Sequence, residues 1–151
     1  MSALTAPDLL VPSLSGDTKI RAIKELVDRL HAGGVVRDSL SFLQAVLERE
    51  NLLSTVLDHG VALPHARSRA VDRLGVAVGV SGQPIEYPSG DERGTVRVIC
   101  LVAVPAQISV PYLELLAALS NAFGEAGFRS ALLNATSPEE LYHLLLSRPL
   151  V

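Results

Sequence analysis

The 151-residue sequence has one cysteine, no tryptophan, and only three phenylalanines and three tyrosines. A single thiol, Cys100, cannot build an intramolecular disulfide framework or a thiolate zinc site, so a reducing compartment is expected. So few aromatics exclude stacking platforms for single-stranded nucleic acid. Basic charge is not in excess either: 13 Lys and Arg face 16 Asp and Glu, for a formal charge of -3. That balance leaves no electrostatic footprint for a polyanion, and no nucleic-acid partner is expected. Long hydrophobic runs are missing, because the longest candidate, 98–106, is far below the roughly 18 to 20 apolar residues of a membrane-crossing helix. The N-terminus has no basic segment ahead of an apolar stretch, and Pro7 and Pro12 interrupt what apolar pieces it has, which argues against a secretory signal. The expectation is a cytoplasmic protein without membrane insertion. What is present is aliphatic: 48% of residues are hydrophobic and the mean hydropathy is +0.34. That is enough to bury one core of Leu, Val, Ala and Ile in a single domain over 1–151.

Periodicity places a first helix at 17–31, with Ile20, Ile23, Val27 and Leu30 on one stripe and Gly33-Gly34 as its stop. A second helix is expected at 38–50, capped by Asp38, with Leu40, Leu43, Val46 and Leu47 recurring at helical spacing. Strands follow at 61–63, 74–80 and 96–104. The last is β-branched and apolar without alternation, the pattern of a strand covered on both faces, and it takes Cys100 into the core. Between the last two strands, 81–94 contains Gly82, Pro84, Pro88, Gly90 and Gly94 and must be a long loop or hold a short hairpin. Two helices close the chain. One begins at Pro111 and carries Leu113, Leu116, Ala117, Ser120 and Phe123 before ending near Gly124 and Gly127; the other opens with the capping-box signature Ser137-Pro138-Glu139-Glu140. Helices on both sides of a buried sheet make a single layered domain, an α/β or α+β fold.

Several chemistries lack their motifs. The chain has no Gly-rich loop ending in Gly-Lys-Ser/Thr, no G-x-G-x-x-G, no H-E-x-x-H and no G-x-S-x-G. The segment 54–67 is the informative one, because the apolar run Val61-Ala62-Leu63 ends in Pro64-His65. Proline cannot donate to a ladder, so His65 is presented at the edge or end of its strand. A neutral imidazole is a good nucleophile and, once protonated, a good phosphoryl leaving group. Arg49 and Arg67 could supply positive charge to phosphoryl oxygens. On these residues alone, a histidine that simply ends a strand is the plainer reading. Two histidines without a third ligand do not make a metal site of His59 and His65. His31 and His143 fall on helices and read as solvated or cap-associated, Glu48 and Glu50 as a solvated helix end. The run Arg67, Arg69 and Arg73 reads as a solvated face, with docking of an acidic partner as the functional alternative.

The order Glu48-Arg49-Glu50, Ser54-Thr55, Gly60-Val61-Ala62-Leu63-Pro64-His65 resembles the IIA domains of the bacterial phosphotransferase system, in the fructose, mannitol and nitrogen-regulatory (type 2) branch. The similarity extends from Asp17-Thr18-Lys19 through the strand before Pro105 and the helix at 113–119 to Ser137-Pro138-Glu139-Glu140-Leu141. It implies a mixed central sheet flanked by helices and a histidine, here His65, that takes phosphate from the carrier protein HPr. The phosphate then passes to a cysteine on a IIB domain or serves as a signal to a regulatory target. Such a chain is a carrier component rather than a stand-alone enzyme and needs no cofactor. Arg49 matches the arginine beside the phosphorylated position, and Thr55 and Arg67 fall among its neighbours. Two departures stand out: Tyr112 takes the place of the family's usual second histidine, and Ala66-Arg67 replaces the usual glycine after Pro-His. These departures motivate an alternative, a binding or regulatory module that keeps the fold without efficient phosphotransfer. His59 is either a turn histidine near the site or a bystander. With no IIB or membrane segment after the last helix in this sequence, a transport role is expected to need separate proteins.

Overall fold

The computed structural model describes residues 3–107 and 112–148. In chain order it contains β1 (Leu10–Val11), α1 (Lys19–Ala32), α2 (Ser39–Leu52), β2 (Val56–Leu57), β3 (Val61–Ala62), β4 (His65–Ser68), β5 (Gly75–Glu86), β6 (Thr95–Pro105), α3 (Tyr112–Phe123), α4 (Ala126–Asn134) and α5 (Pro138–Leu146). One mixed sheet runs β1-β5-β6-β3-β2, with β4 also paired to β6. β5 and β6 are antiparallel; β3 and β4 both run parallel to β6, one after the other along the same side of it.

The organising element is β6. Its residues alternate between two cores, as successive side chains of a strand must. Ile99, Leu101 and Ala103 pack with Ile23, Leu26 and Leu30 of α1 and Phe42 and Val46 of α2. Val98, Cys100, Val102 and Val104 pack on the other face with Leu115, Leu119, Phe128, Leu132, Leu141 and Leu145 of the three C-terminal helices. Every residue from Val98 to Val104 is buried, and each large aliphatic side chain so covered contributes about 1.5–3 kcal/mol. The fold class is the expected one. Burial also pushes the Cys100 thiol well above its ordinary range, which removes its thiolate character.

Local detail departs from these expectations in places. The α1 stripe is rotated, so that Ala22, Ile23, Leu26, Val27 and Leu30 are buried while Ile20 is 56% exposed; on α2, Leu40 is likewise exposed and Phe42 buried. The segment 81–94 holds the short hairpin that was one of its two readings, closed at Gly90 (φ 61°) with mutual backbone bonds between Ser89 and Glu92, but its first part, to Glu86, continues β5 through a register shift between Val80 and Ile85 that accommodates Pro84. α4 lies where the third helix was expected merely to fade. Gly127 sits in its first turn, and Phe128 and Leu132, four residues apart, supply its buried face. β1 has no counterpart among the expected strands, since two residues cannot display a period; Leu10 and Val11 pair parallel with Val78 and Gly79. Pro111 lies outside the described residues.

The helix starts follow side-chain caps. Thr18 Oγ1 accepts from Arg21 N, Asp38 Oδ1 from Ser41 N and Ser137 Oγ from Glu140 N, at 3.1–3.2 Å. The Ser41 bonds hold the Asp38 carboxyl below its ordinary value. The Glu140 carboxylate, the reciprocal half of the capping box, binds Thr136 instead of Ser137. Ser137→Ala is therefore expected to cost about 1 kcal/mol, readable as a lower urea midpoint with an unchanged slope. No helix among the described residues is long and apolar enough to cross a membrane.

Candidate functional site

Leu63-Pro64 divides what would otherwise be one strand. β3 ends at Ala62, the Pro64 carbonyl accepts from Val102 N at 3.0 Å, and β4 opens at His65 in register with Val102. His65 thus begins a strand instead of ending one, and β4 has no neighbour beyond β6 among the described residues. The imidazole is half-buried at that edge. Its Nδ1 lies 2.9 Å from the Leu63 carbonyl oxygen. A carbonyl can only accept, so Nδ1 carries a proton, and in the neutral ring the lone pair is on Nε2.

His65 lines a cleft of about 340 Å³ with Glu48, Arg49 and Leu52 of α2, Arg67 of the same strand, Val104 of β6 and Tyr112, the first residue of α3. Arg49 Nη1 donates to the Leu53 carbonyl at 3.0 Å, which anchors the guanidinium at the C-terminal end of α2. Arg67 Nε donates to the Pro105 carbonyl at 3.4 Å, and its Cζ stands 5.5 Å from the Tyr112 ring centroid, a cation–π distance. Four of the sequence-derived candidates, His65, Arg49, Arg67 and Tyr112, therefore share one concavity. Glu48 brings a carboxylate to the same rim but is exposed.

The other two candidates lie elsewhere. His59 adopts φ 70° in the turn before β3, followed by Gly60 at φ 78°. Gly60 bonds to Arg97 while His65 pairs with Val102, a separation of roughly 16 Å along the strand. His59 lines hollows with Arg97 and Phe123 and not the His65 cleft. Thr55 is buried, with its hydroxyl donating to Glu50 Oε2 at 2.5 Å. Glu50 itself corrects the reading of a solvated helix end. It follows Phe42 and Val46 at four-residue steps on the buried side of α2 and is 2% exposed. Lys19 Nζ, 3.1 Å from Glu50 Oε1 and 4.4 Å from the Tyr87 ring centroid, supplies the opposite charge. Burial, and then the Glu50 carboxylate, raise the Tyr87 hydroxyl pKa well above its ordinary value. Of the remaining histidines, His31 Nδ1 lies 2.8 Å from Val36 O, beside the end of α1, and His143 is exposed on α5. The arginine run separates: Arg73 binds the Gly33 carbonyl, and the Arg69 carbonyl accepts from Arg37. The described residues contain no group of three or more His, Cys, Asp or Glu placed to hold a metal ion.

The family described as phosphoenolpyruvate-dependent sugar phosphotransferase system, EIIA 2, matches residues 4–148. The chain belongs to that family. It is 30% identical over 146 residues to the 2-O-alpha-mannosyl-D-glycerate-specific EIIABC component of the Escherichia coli system, covering 96% of this chain but only 22% of that protein. It is also 30% identical to the fructose-specific EIIA component of Haloferax volcanii, covering 96% of this chain and 94% of the relative. The chain thus spans about a fifth of the first relative and nearly all of the second. Its fold matches that of the nitrogen regulatory protein IIA-Ntr from Neisseria meningitidis with a TM-score of 0.83 at 24% identity, covering 95% of this chain and 97% of that one. Within this EIIA 2 chain, Tyr112 lines the cleft with His65.

Proposed function

We propose that the chain is a phosphocarrier that accepts a phosphoryl group on His65 Nε2 from an HPr-type protein. It then passes the group to a IIB cysteine or holds it as a regulatory signal. The carrying observation is the His65 ring itself, whose Nδ1 proton is committed to the Leu63 carbonyl and which shares its cleft with Arg49 and Arg67. In the first step Nε2 attacks phosphorus, the P–N bond to the donor histidine breaks, and the donor imidazole leaves. In the second, an acceptor nucleophile forms its bond to phosphorus while the bond to Nε2 breaks. The two guanidinium groups offset the charge on the oxygens in transit.

Protein partners also fit the rim. Leu52, Leu53 and Leu113 are 80%, 69% and 68% exposed beside Arg49 and Tyr112, an apolar border that suits transient protein docking. The test is incubation with phosphoenolpyruvate, enzyme I and HPr. The expected product is an acid-labile, base-stable phosphate that a IIB domain or a regulatory partner then removes or responds to. No phosphate with a matched carrier would overturn the reading.

One feature favours the second reading, a binding module without efficient transfer. Tyr112 brings a phenol, which donates a hydrogen bond but carries no positive charge near neutral pH. Tyr112→His is expected to raise the transfer rate or the phosphate lifetime by up to about tenfold, the equivalent of ~1.4 kcal/mol. Unchanged kinetics would remove Tyr112 from the phosphate's surroundings.

A further inference from the structure

Two side chains outside the cleft, Glu50 and Thr55, connect to His65 through a series of short hydrogen bonds, and the segment that carries Thr55 also anchors Arg49. Thr55 Oγ1 donates to Glu50 Oε2 at 2.5 Å. The Thr55 carbonyl accepts from Leu63 N at 2.9 Å, and the Leu63 carbonyl accepts from His65 Nδ1 at 2.9 Å. The same segment anchors the arginine, since Leu53, two residues before Thr55, receives Arg49 Nη1 at 3.0 Å. Glu50 is in turn held by Lys19, whose ammonium also donates to the Pro88 carbonyl at 2.7 Å.

We infer that Glu50 and Thr55 are positioning residues for phosphoryl transfer, a buried clamp that sets the tautomer and orientation of His65 and the placement of Arg49. The inference rests on the phosphocarrier reading of His65. The Thr55–Leu63 bond lies one step beyond the last registered pair of the β2–β3 ladder, Val56 with Ala62, so the ladder alone does not hold it. The Thr55 side chain does, because its hydroxyl ties the residue to a carboxylate that is only 2% exposed. A buried carboxylate oxygen that loses its donor is costly, so the segment has one strongly preferred seating. That seating aims the Leu63 carbonyl at Nδ1 and leaves Nε2 as the nucleophile. Neither Glu50 nor Thr55 touches the reacting atoms.

The test compares wild type, Thr55→Val, Thr55→Ser and Glu50→Gln in two measurements. One is the rate of phosphate uptake from phosphorylated HPr; the other is the His65 tautomer, read from 15N NMR of the neutral ring without any phosphate present. Wild type is expected to show the proton on Nδ1, and a ring protonated on Nε2 would overturn the clamp with no variant needed. Thr55→Val, which keeps the shape and loses the hydroxyl, is expected to shift the tautomer toward a mixture and to slow uptake by roughly 10- to 100-fold. Thr55→Ser is expected to restore both. A folded Thr55→Val protein with the wild-type tautomer and a rate within about twofold would sink the inference. Glu50→Gln keeps an acceptor for Thr55 and is expected to retain the Nδ1 proton. Where Thr55→Val fails to fold, Thr55→Ala is read in its place, and a folded Thr55→Ala protein with the wild-type tautomer and rate contradicts the clamp. Wild type that takes no phosphate overturns the phosphocarrier reading instead, and the tautomer still decides the clamp separately.

Discussion

His65→Ala is expected to take up no phosphate from phosphorylated HPr under conditions that label the wild type to completion. The substitution removes the one imidazole among the described residues that line the cleft, the group able both to accept and to release a phosphoryl group. It should do so without unfolding the protein. The ring is half-buried at an edge strand, it bonds to a backbone carbonyl, and β4 keeps its four registered pairs with β6. A urea transition close to that of wild type, with no acid-labile phosphate, is the predicted combination. His59→Ala is the matched control and is expected to label normally, because His59 lies in a different hollow. Normal labelling of His65→Ala would move the acceptor elsewhere and end the assignment.

Arg49→Met is expected to slow uptake by about 10²- to 10³-fold, the loss found when one preorganised donor to a developing charge is removed. Among the described residues the Arg49 guanidinium donates only through Nη1, to the Leu53 carbonyl, and a guanidinium has five N–H groups. The remainder can reach phosphoryl oxygens from a side chain already tethered in place. Arg49→Lys should recover part of the rate, since a point charge is retained while the planar fork is lost. A Met variant within about threefold of wild type would show that Arg67, which shares the rim and stands over Tyr112, carries the phosphate by itself.

Much of the fold was legible because its signals are local and redundant. The run from Val98 to Val104 has no polar residue to mark a solvent face, and the structure covers both faces. Thr18, Asp38 and Ser137 announce helix starts with side chains that reach only three residues ahead. What was not legible depends on partners far away in the chain. Glu50 looks like a surface charge next to Glu48 and Arg49 until Lys19 is brought to it by the packing of α1 on α2 and Thr55 by the turn into β2. His65 could be placed at an edge, but not at the start of β4, because only β6 defines where one short strand hands over to the next. The cleft brings together His65 and Arg49 as the motif implies, whereas Thr55 is buried against Glu50 and His59 lines a different hollow.

The central claim is that His65 accepts the phosphoryl group on Nε2 because Nδ1 is held by the Leu63 carbonyl. The most direct measurement is 15N and 31P NMR of the phosphorylated protein, labelled at histidine. The account predicts a single phosphohistidine, at His65, with phosphorus bonded to Nε2 and the proton still on Nδ1. Phosphorus on Nδ1, or on any other residue, would contradict it.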